Sequence, residues 1–343
     1  MQMMSSLQRS LNCPHCYLSL DQRRYPTILT LADMEKIALN VRRYYEQKTP
    51  KGATIIFYRY GGEPAQMGLS YFTAAIELLN LVFRPSEFQA KHVVISSLLN
   101  IDEKSFDGGM RGTNYKKRWD GTVRDAVSSG LLVSSISVVN QIMIADAAGS
   151  TLDYLSDLGL RETRWLPFML NEQNKSGAYS RFSPRMDDYS AFMIELGEKY
   201  LHRRKKNLPV PEIGQLRFIL GQHDCQNLAN IAGQTLFLLP NGDFVLPDYK
   251  DGYREFMQHF GNGLRDDFGA VLISKERLAY LRKQALRNWN ADCLECDLGG
   301  QCIMEFWKDN LFGDDCFGAK RYAQWLNNPP EWLLPALPST LLH

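Results

Sequence analysis

Between residues 27 and 170 the apolar side chains change repeatedly from a helical spacing to short continuous runs. Helical spacing places apolar side chains on one face of a helix, whereas short β-branched or aromatic runs are typical of strands. The pattern predicts helices at residues 31–47, 71–83, 119–129 and 150–158. It predicts strands at residues 54–58, 92–99, 133–140 and 164–170, the second of them buried. This alternation indicates an α/β protein whose parallel strands form an open sheet or a barrel.

The connection after the predicted strand 92–99 is unusually short. Only residues 100–104 separate it from the next strand-like segment, residues 105–107. A crossover between parallel strands takes roughly a dozen residues or more. Either residues 105–107 are not the next parallel strand, or the chain lacks one crossover helix.

Beyond residue 170 the polar stretches become longer. We expect a loop at residues 171–185, helices at residues 189–203 and 274–287, and a β-hairpin at residues 235–246. Asn241-Gly242 indicates the hairpin, because this pair suits the tight turns that join antiparallel strands. The segment from Asn327 onward contains four prolines and is expected to be irregular.

The composition is that of an ordinary globular protein and argues against several classes of partner. Of the 343 residues, 45% are hydrophobic and 22% are charged, and the formal net charge is +1. This charge gives no electrostatic basis for binding nucleic acid or an anionic membrane. No segment approaches the ~20 apolar residues of a membrane helix, and the N-terminus lacks the pattern of a secretory signal. We therefore expect a cytoplasmic protein, in which seven cysteines favour metal ligation over disulfides.

The strongest chemical motif is a group of four cysteines near the C-terminus. Two residues separate Cys293 from Cys296, and five more precede Cys302. Cys316 follows after a further thirteen residues. Four thiolates at these spacings suit a 4Fe–4S cluster or a tetrahedral zinc ion, and the spacing does not distinguish the two.

A second cysteine motif, near the N-terminus, lacks one ligand. Residues 11–17 read LNCPHCY and contain Cys13 and Cys16. An iron–sulfur motif of the C-x3-C-x2-C type would require a third cysteine where Arg9 stands. Arginine cannot replace a thiolate, because the guanidinium stays protonated below a pKa of ~12 and offers no lone pair.

A glycine-rich turn, Gly61-Gly62-Glu63, directly follows the predicted strand 54–58 and Tyr60. Glycine lets backbone amides approach a ligand closely, and a carboxylate can hold an ammonium group. Gly-Gly turns are common, so the weight of this motif comes from its place one helix and one strand after Cys13 and Cys16.

Together these motifs resemble the radical S-adenosylmethionine enzymes and, among them, the SPASM branch, which carries auxiliary iron–sulfur clusters. The resemblance spans nearly the whole chain and implies a partial (β/α)6 TIM-like barrel over residues 1–215. It implies a cysteine-rich SPASM-like domain over residues 216–326 and a proline-rich tail over residues 327–343. In such enzymes three cysteines hold a 4Fe–4S cluster, whose fourth iron binds the amino and carboxylate groups of S-adenosylmethionine. Reductive cleavage then gives a 5′-deoxyadenosyl radical, which abstracts hydrogen from a peptide or small natural-product precursor.

The resemblance also implies roles for individual residues. The metal ligands would be Cys13, Cys16, Cys293, Cys296, Cys302 and Cys316. The cofactor-binding residues would be His15, Tyr17, Gly61, Gly62, Glu63, Ser105 and Asn140. The implied partners are a peptide or small-molecule substrate and an electron donor such as flavodoxin or ferredoxin. No peptide-binding winged-helix pattern precedes Met3, so we expect any leader-peptide recognition to come from elsewhere.

Several positions depart from the family pattern. Arg9 replaces the first cluster cysteine, and residues 1–8 have neither the length nor the alternation of a good first strand. Pro247 stands where the inner auxiliary site would have a cysteine, so we interpret Cys225 as a lone buried thiol. We therefore expect one complete auxiliary cluster and an incomplete radical cluster, in a radical enzyme that is impaired.

Two other interpretations stay open. The first is a non-catalytic peptide- or protein-binding relative that keeps the C-terminal metal cluster as a structural element. The second is a zinc-stabilised α/β protein in which Gly61-Gly62-Glu63 occurs by coincidence.

Overall fold

The structure is a computed structural model, and the part of the chain that it describes includes the glycine-rich turn. The described residues are 1–8, 18, 20–96, 113–145, 148–168, 180–214, 216, 236–247, 257–287 and 320–328. The six predicted cysteine ligands lie outside them, as do Arg9, His15, Tyr17, Ser105 and Cys225. The short connection at residues 100–104 lies outside them as well.

Apart from the strand-like segment 105–107, which lies outside the described residues, each helix and strand predicted from the sequence overlaps an element of the structure. The strands are β1 Gln2–Met4, β2 Thr54–Tyr60, β3 Gln89–Val94, β4 Ser134–Val139, β5 Glu162–Pro167, β6 Glu212–Ile213, β7 Phe237–Leu238, β8 Asp243–Pro247 and β9 Met257–Asn262. The α-helices are α1 Leu20–Arg23, α2 Leu31–Lys48, α3 Gly68–Phe83, α4 Thr113–Ser128, α5 Gln141–Ala145, α6 Ala148–Asp157, α7 Met186–Lys205, α8 Phe268–Leu272, α9 Lys275–Arg287 and α10 Lys320–Asn327. Short 3-10 helices lie at Pro64–Met67, Arg84–Ser86 and Ser180–Phe182.

The chain forms two compact units, each built from two stretches of sequence. The first unit combines Met1–Gly112 with Ala232–Gln284. Its six-stranded sheet has the order β3-β2-β1-β7-β8-β9, with parallel pairing from β3 to β7 and antiparallel pairing beyond. The second unit combines Thr113–Ile231 with Ala285–His343, and its described strands form a parallel sheet in the order β4-β5-β6.

Strand β1 lies inside the first sheet although its sequence predicts a poor strand. It is three residues long and pairs in parallel with both β2 and β7. Met3 and Met4, adjacent in sequence, are both almost completely buried. A strand covered on both faces needs no alternation of polar and apolar residues. The lack of alternation in residues 1–8 was therefore not evidence against a strand.

Strand β3 differs from its prediction in position and in burial. It begins at Gln89, three residues before the predicted start at residue 92. Gln89 pairs there with Thr54, the first residue of β2. Most of its side chains are exposed, including Val93 and Val94, which are 38% and 48% accessible. The expectation of a buried strand is therefore wrong, and β3 is the edge of the sheet within the described residues.

Helices α2 and α3 contact each other and contribute buried apolar side chains to the core of the first unit. Thr30 caps α2 by accepting a hydrogen bond from the amide of Asp33. The helix then buries Met34, Ile37, Ala38 and Val41 on one face, as the helical spacing predicts. Burial of each large apolar side chain stabilises the fold by roughly 1.5–3 kcal/mol. This packing fixes the sheet from which the glycine-rich turn emerges.

The predicted β-hairpin is confirmed. β7 and β8 pair in antiparallel fashion around Asn241 and Gly242. Gly242 has a φ of 88°, a conformation that glycine adopts without strain. The side chain of Asn241 accepts a hydrogen bond from the Asp243 amide, which closes the turn.

In the second unit, α7 covers the sheet through aromatic contacts. Trp165 of β5 is completely buried, and its ring lies 5.7 Å from that of Phe192. The hydroxyl of Tyr189 donates a hydrogen bond of 2.8 Å to the carbonyl of Trp165. None of the described helices is both long and apolar enough to cross a membrane.

Candidate functional site

The glycine-rich turn lies at the carboxyl ends of the first three strands. β1, β2 and β3 are parallel neighbours, so the segments that leave them emerge at the same edge of the sheet. Ser5 to Gln8 follow β1, Gly61 to Glu63 follow β2, and Ser96 follows β3. In α/β sheets ligands bind at this edge.

Gly61 and Gly62 are glycines because the segment after β1 leaves no room for a side chain. Gly61 has a φ of 118°, and a Cβ there would lie 2.7 Å from the carbonyl oxygen of Ser6. A Cβ on Gly62 would lie only 1.9 Å from the carbonyl oxygen of Gln8. Both contacts are with backbone, which cannot move aside as a flexible side chain can. The turn therefore requires glycine at both positions.

The amides of the turn are bonded within the chain. The Gly62 amide donates to the Ser6 carbonyl at 2.9 Å, and the Glu63 amide donates to the Gln8 carbonyl at 2.8 Å. Gln8 immediately precedes Arg9, so these bonds anchor the segment that enters the N-terminal cysteine motif. The glycines thus allow close approach of a backbone segment, in addition to any approach to a ligand that the sequence predicts.

Glu63 places a buried carboxylate at the same edge. The residue is 5% exposed. Its Oε1 atom accepts a hydrogen bond of 3.1 Å from the Ala65 amide, which caps the 3-10 helix Pro64–Met67. The same atom accepts a hydrogen bond of 2.5 Å from the Ser96 hydroxyl. A buried carboxylate held in this way is suited to bind a cation such as an ammonium group.

Arg59 is a buried cation that the sequence analysis missed. It is 1% exposed and shares the inward face of β2 with Phe57. Its Nη1 atom contacts the sulfur of Met34 at 3.9 Å, and its guanidinium lies 5.9 Å from the ring centre of Phe72. Among the described residues its Nε and Nη2 atoms have no hydrogen-bond partner. Burial lowers the pKa of Arg59.

His92, on β3, is a titratable base that experiences the positive charge of Arg59. Its ring stacks on Phe57, and its Nε2 atom lies 3.2 Å from the Asn80 side-chain oxygen. Burial, together with the positive charge of Arg59, lowers the pKa of His92 to about 4. The signal for Arg59 in the sequence is a single basic residue among the aliphatic and aromatic side chains of residues 55–60.

Asn140 lies in the second unit, directly after β4. Its side-chain oxygen accepts hydrogen bonds of 3.0 Å from the amides of Ile142 and Met143. It therefore caps the first turn of α5. A role of Asn140 toward a cofactor remains a prediction.

The other predicted site residues cannot be placed beside this turn. His15, Tyr17, Ser105 and all six cysteine ligands lie outside the described residues. Among the residues that are described, no three His, Cys, Asp or Glu side chains are grouped so as to hold a metal ion. Within the described residues the candidate site therefore consists of the Gly61–Glu63 turn, Ser96 and the segment from Ser6 to Gln8.

Comparison with known proteins identifies the fold. No protein-family model matches the sequence, and the search of curated proteins finds no match. Among solved structures, native anSMEcpe with bound AdoMet matches with a TM-score of 0.67 and 15% sequence identity, covering 88% of this chain and 87% of that one. The same enzyme with AdoMet and the Cp18Cys peptide matches with a TM-score of 0.68 and 14% identity over the same shares of the two chains.

The matched enzyme is an anaerobic sulfatase-maturating enzyme, a radical S-adenosylmethionine protein with a SPASM domain. The structure shares with it a mixed α/β architecture with parallel strands and helices. At this level of sequence identity the likeness concerns the fold. The resemblance drawn from the cysteine and glycine motifs is confirmed to that extent: the chain has the fold of the radical S-adenosylmethionine enzyme anSMEcpe.

Proposed function

We propose that the protein binds S-adenosylmethionine at the carboxyl edge of β1, β2 and β3. The observation that carries this proposal is the buried Glu63 carboxylate, which is held at that edge by Ser96 and Ala65. In this assignment Glu63 binds the amino group of the cofactor. The residues present fit that group, since a carboxylate buried at this edge and already oriented by two hydrogen bonds can accept a charge-assisted hydrogen bond from an ammonium group. AdoMet bound to anSMEcpe, a protein of the same fold, supports the choice of ligand.

Cys13 and Cys16 would be the remaining protein ligands of a radical-generating 4Fe–4S cluster. When bound, such a cluster supplies the electron that cleaves the sulfonium of S-adenosylmethionine. Arg9 removes one thiolate from the expected set, so we propose that cleavage is impaired in this chain. Cys293, Cys296, Cys302 and Cys316 would hold one auxiliary cluster.

The proposed substrate class is a peptide, and the reaction class is modification after hydrogen abstraction. The bound Cp18Cys and Kp18Cys peptides of anSMEcpe support this class. Small natural-product precursors are the second class that the motifs allow. An electron donor such as flavodoxin or ferredoxin would be required by the active form.

Anaerobic reconstitution with iron and sulfide tests the proposal. Full occupancy gives about eight iron atoms per chain, and an auxiliary cluster alone gives about four. We expect the wild-type chain to bind S-adenosylmethionine, to hold fewer iron atoms than full occupancy and to release little 5′-deoxyadenosine. Arg9→Cys should raise both the iron content and the yield of 5′-deoxyadenosine.

The non-catalytic interpretation makes a different prediction, and Arg9 is the feature that favours it. A binding protein that keeps only the C-terminal cluster would hold about four iron atoms and would not release 5′-deoxyadenosine even as Arg9→Cys. Zinc without iron in the purified protein would contradict both proposals and favour a zinc-stabilised α/β protein.

A further inference from the structure

Ser96 joins the end of β3 to the carboxylate at the end of β2. Its hydroxyl donates to Glu63 Oε1 at 2.5 Å, the short distance typical of a hydroxyl bound to a carboxylate. Glu63 is buried and Ser96 is half-buried, so water screens this bond weakly. The bond links two neighbouring parallel strands at the edge where the proposed cofactor binds.

The hydrogen bond restricts the rotation of the Glu63 carboxylate, so less side-chain entropy is lost when a ligand binds. The Ala65 amide donates to the same oxygen at 3.1 Å, but it belongs to the turn that Glu63 itself begins. The Ser96 hydroxyl, by contrast, ties the carboxylate to the end of a neighbouring strand.

We propose that Ser96 is a positioning residue, which orients the Glu63 carboxylate toward the amino group of S-adenosylmethionine. This inference rests on the proposed function, because it assigns Ser96 a task only if Glu63 binds the amino end of the cofactor. Ser96 acts through Glu63 and needs no contact of its own with the ligand.

Binding of three related ligands tests the inference without requiring cleavage. S-adenosylmethionine and S-adenosylhomocysteine carry the amino acid group, whereas 5′-methylthioadenosine lacks it. Isothermal titration calorimetry of the reconstituted protein should show that Ser96→Ala raises the Kd of the first two ligands about tenfold, the size expected for a hydrogen bond to a charged group. The Kd of 5′-methylthioadenosine should stay unchanged.

Two further variants separate positioning from general damage. Ser96→Thr keeps the hydroxyl and suits a strand end, so it should restore binding close to the wild-type value. In the background of Glu63→Gln, Ser96→Ala should have little additional effect on S-adenosylmethionine, since the group that Ser96 orients has been neutralised. The control variant Ser129→Ala removes an exposed hydroxyl that donates to the Asp125 carbonyl, and it should bind all three ligands normally.

The outcomes that contradict the inference differ from those that contradict the proposed function. If the wild-type chain prefers S-adenosylmethionine to 5′-methylthioadenosine and Ser96→Ala keeps that preference, the positioning role is wrong. It is also wrong if Ser96→Ala weakens all three ligands equally. If the wild-type chain shows no preference for ligands with the amino acid group, the proposed function is wrong, and the role of Ser96 falls with it.

Discussion

Trp325 of α10 lies against Gly197 of α7 so closely that a Cβ atom on the glycine would come within 2.6 Å of the indole ring. Tyr322 of the same helix is buried and stacks on Trp325 with a ring separation of 6.1 Å. α10 begins only four residues after Cys316, the last cysteine of the C-terminal motif. Helix α10, which follows the cysteine motif in the sequence, is therefore anchored to α7 by aromatic packing.

Gly197→Ala should weaken this anchor. Alanine alone would favour the helix by about 1 kcal/mol, but the contact with the indole forces Trp325 to move. Overpacking of this kind costs about 1–3 kcal/mol, so we expect a lower urea midpoint and a change in tryptophan fluorescence. Gly121→Ala is the matched control, because a Cβ at that exposed position of α4 meets no atom within 4 Å. It should raise the midpoint, and a rise for Gly197→Ala as well would contradict the packing argument.

Gly62→Ala should damage the entry to the N-terminal cysteine motif. The added methyl would collide with the Gln8 carbonyl, so the hydrogen bonds from Gly62 to Ser6 and from Glu63 to Gln8 cannot both persist. We expect a loss of about 3 kcal/mol in the free energy of unfolding and a lower iron content after reconstitution. Gly52→Ala is the control, since that glycine has a positive φ of 81° but open space around it. It should cost about 1 kcal/mol through backbone strain and leave the iron content unchanged.

An unchanged iron content in Gly62→Ala would separate the glycine-rich turn from the cysteine motif. The turn would then serve the cofactor alone, as the sequence pattern by itself suggests. Stability would still fall, because the collision with Gln8 does not depend on any ligand.

Local chemistry explains which features the sequence could predict. The hairpin at Asn241-Gly242 was predictable because the turn depends on two adjacent residues. β1 was not, because its stability comes from two partner strands distant in sequence and from burial on both faces. The contacts of Gly62 with Gln8 and of Glu63 with Ser96 could not be predicted either, because strand pairing brings these distant parts of the sequence together.

Arg59→Met should increase stability. The guanidinium is almost completely buried, and among the described residues no carboxylate forms an ion pair with it. Removing an unpaired buried charge while keeping the length of the side chain should raise the free energy of unfolding by about 1–2 kcal/mol. Arg204→Met is the control with the opposite expectation, a lower free energy of unfolding, since Arg204 donates a hydrogen bond to Tyr200 and pairs with Glu212. A loss of stability in Arg59→Met would show that the cation has an anionic partner.

His92 should make the folded state sensitive to mild acid. Burial and the charge of Arg59 lower its pKa from 6.5 to about 4, so the folded protein keeps it neutral where the unfolded chain protonates it. Between pH 6.5 and 4 the unfolded state thus binds more protons at this residue, and its contribution to stability is lost as the pH falls. Urea midpoints measured across this range should decline less steeply for His92→Gln than for the wild-type chain. Equal slopes would contradict the assignment.

Arg59 and His92 are coupled electrostatically, and the effect of Arg59→Met on the pKa of His92 can be measured directly. Because Arg59 is the second cause of the lowered pKa and burial the first, Arg59→Met should raise the His92 pKa only part of the way toward 6.5. A titration of the histidine ring resonances by NMR, assigned through the His92→Gln variant, gives the midpoint in both proteins. A midpoint that stays near 4 in Arg59→Met would show that burial alone holds the ring neutral. A midpoint near 6.5 would show that the cation, and not the packing against Phe57, dominates.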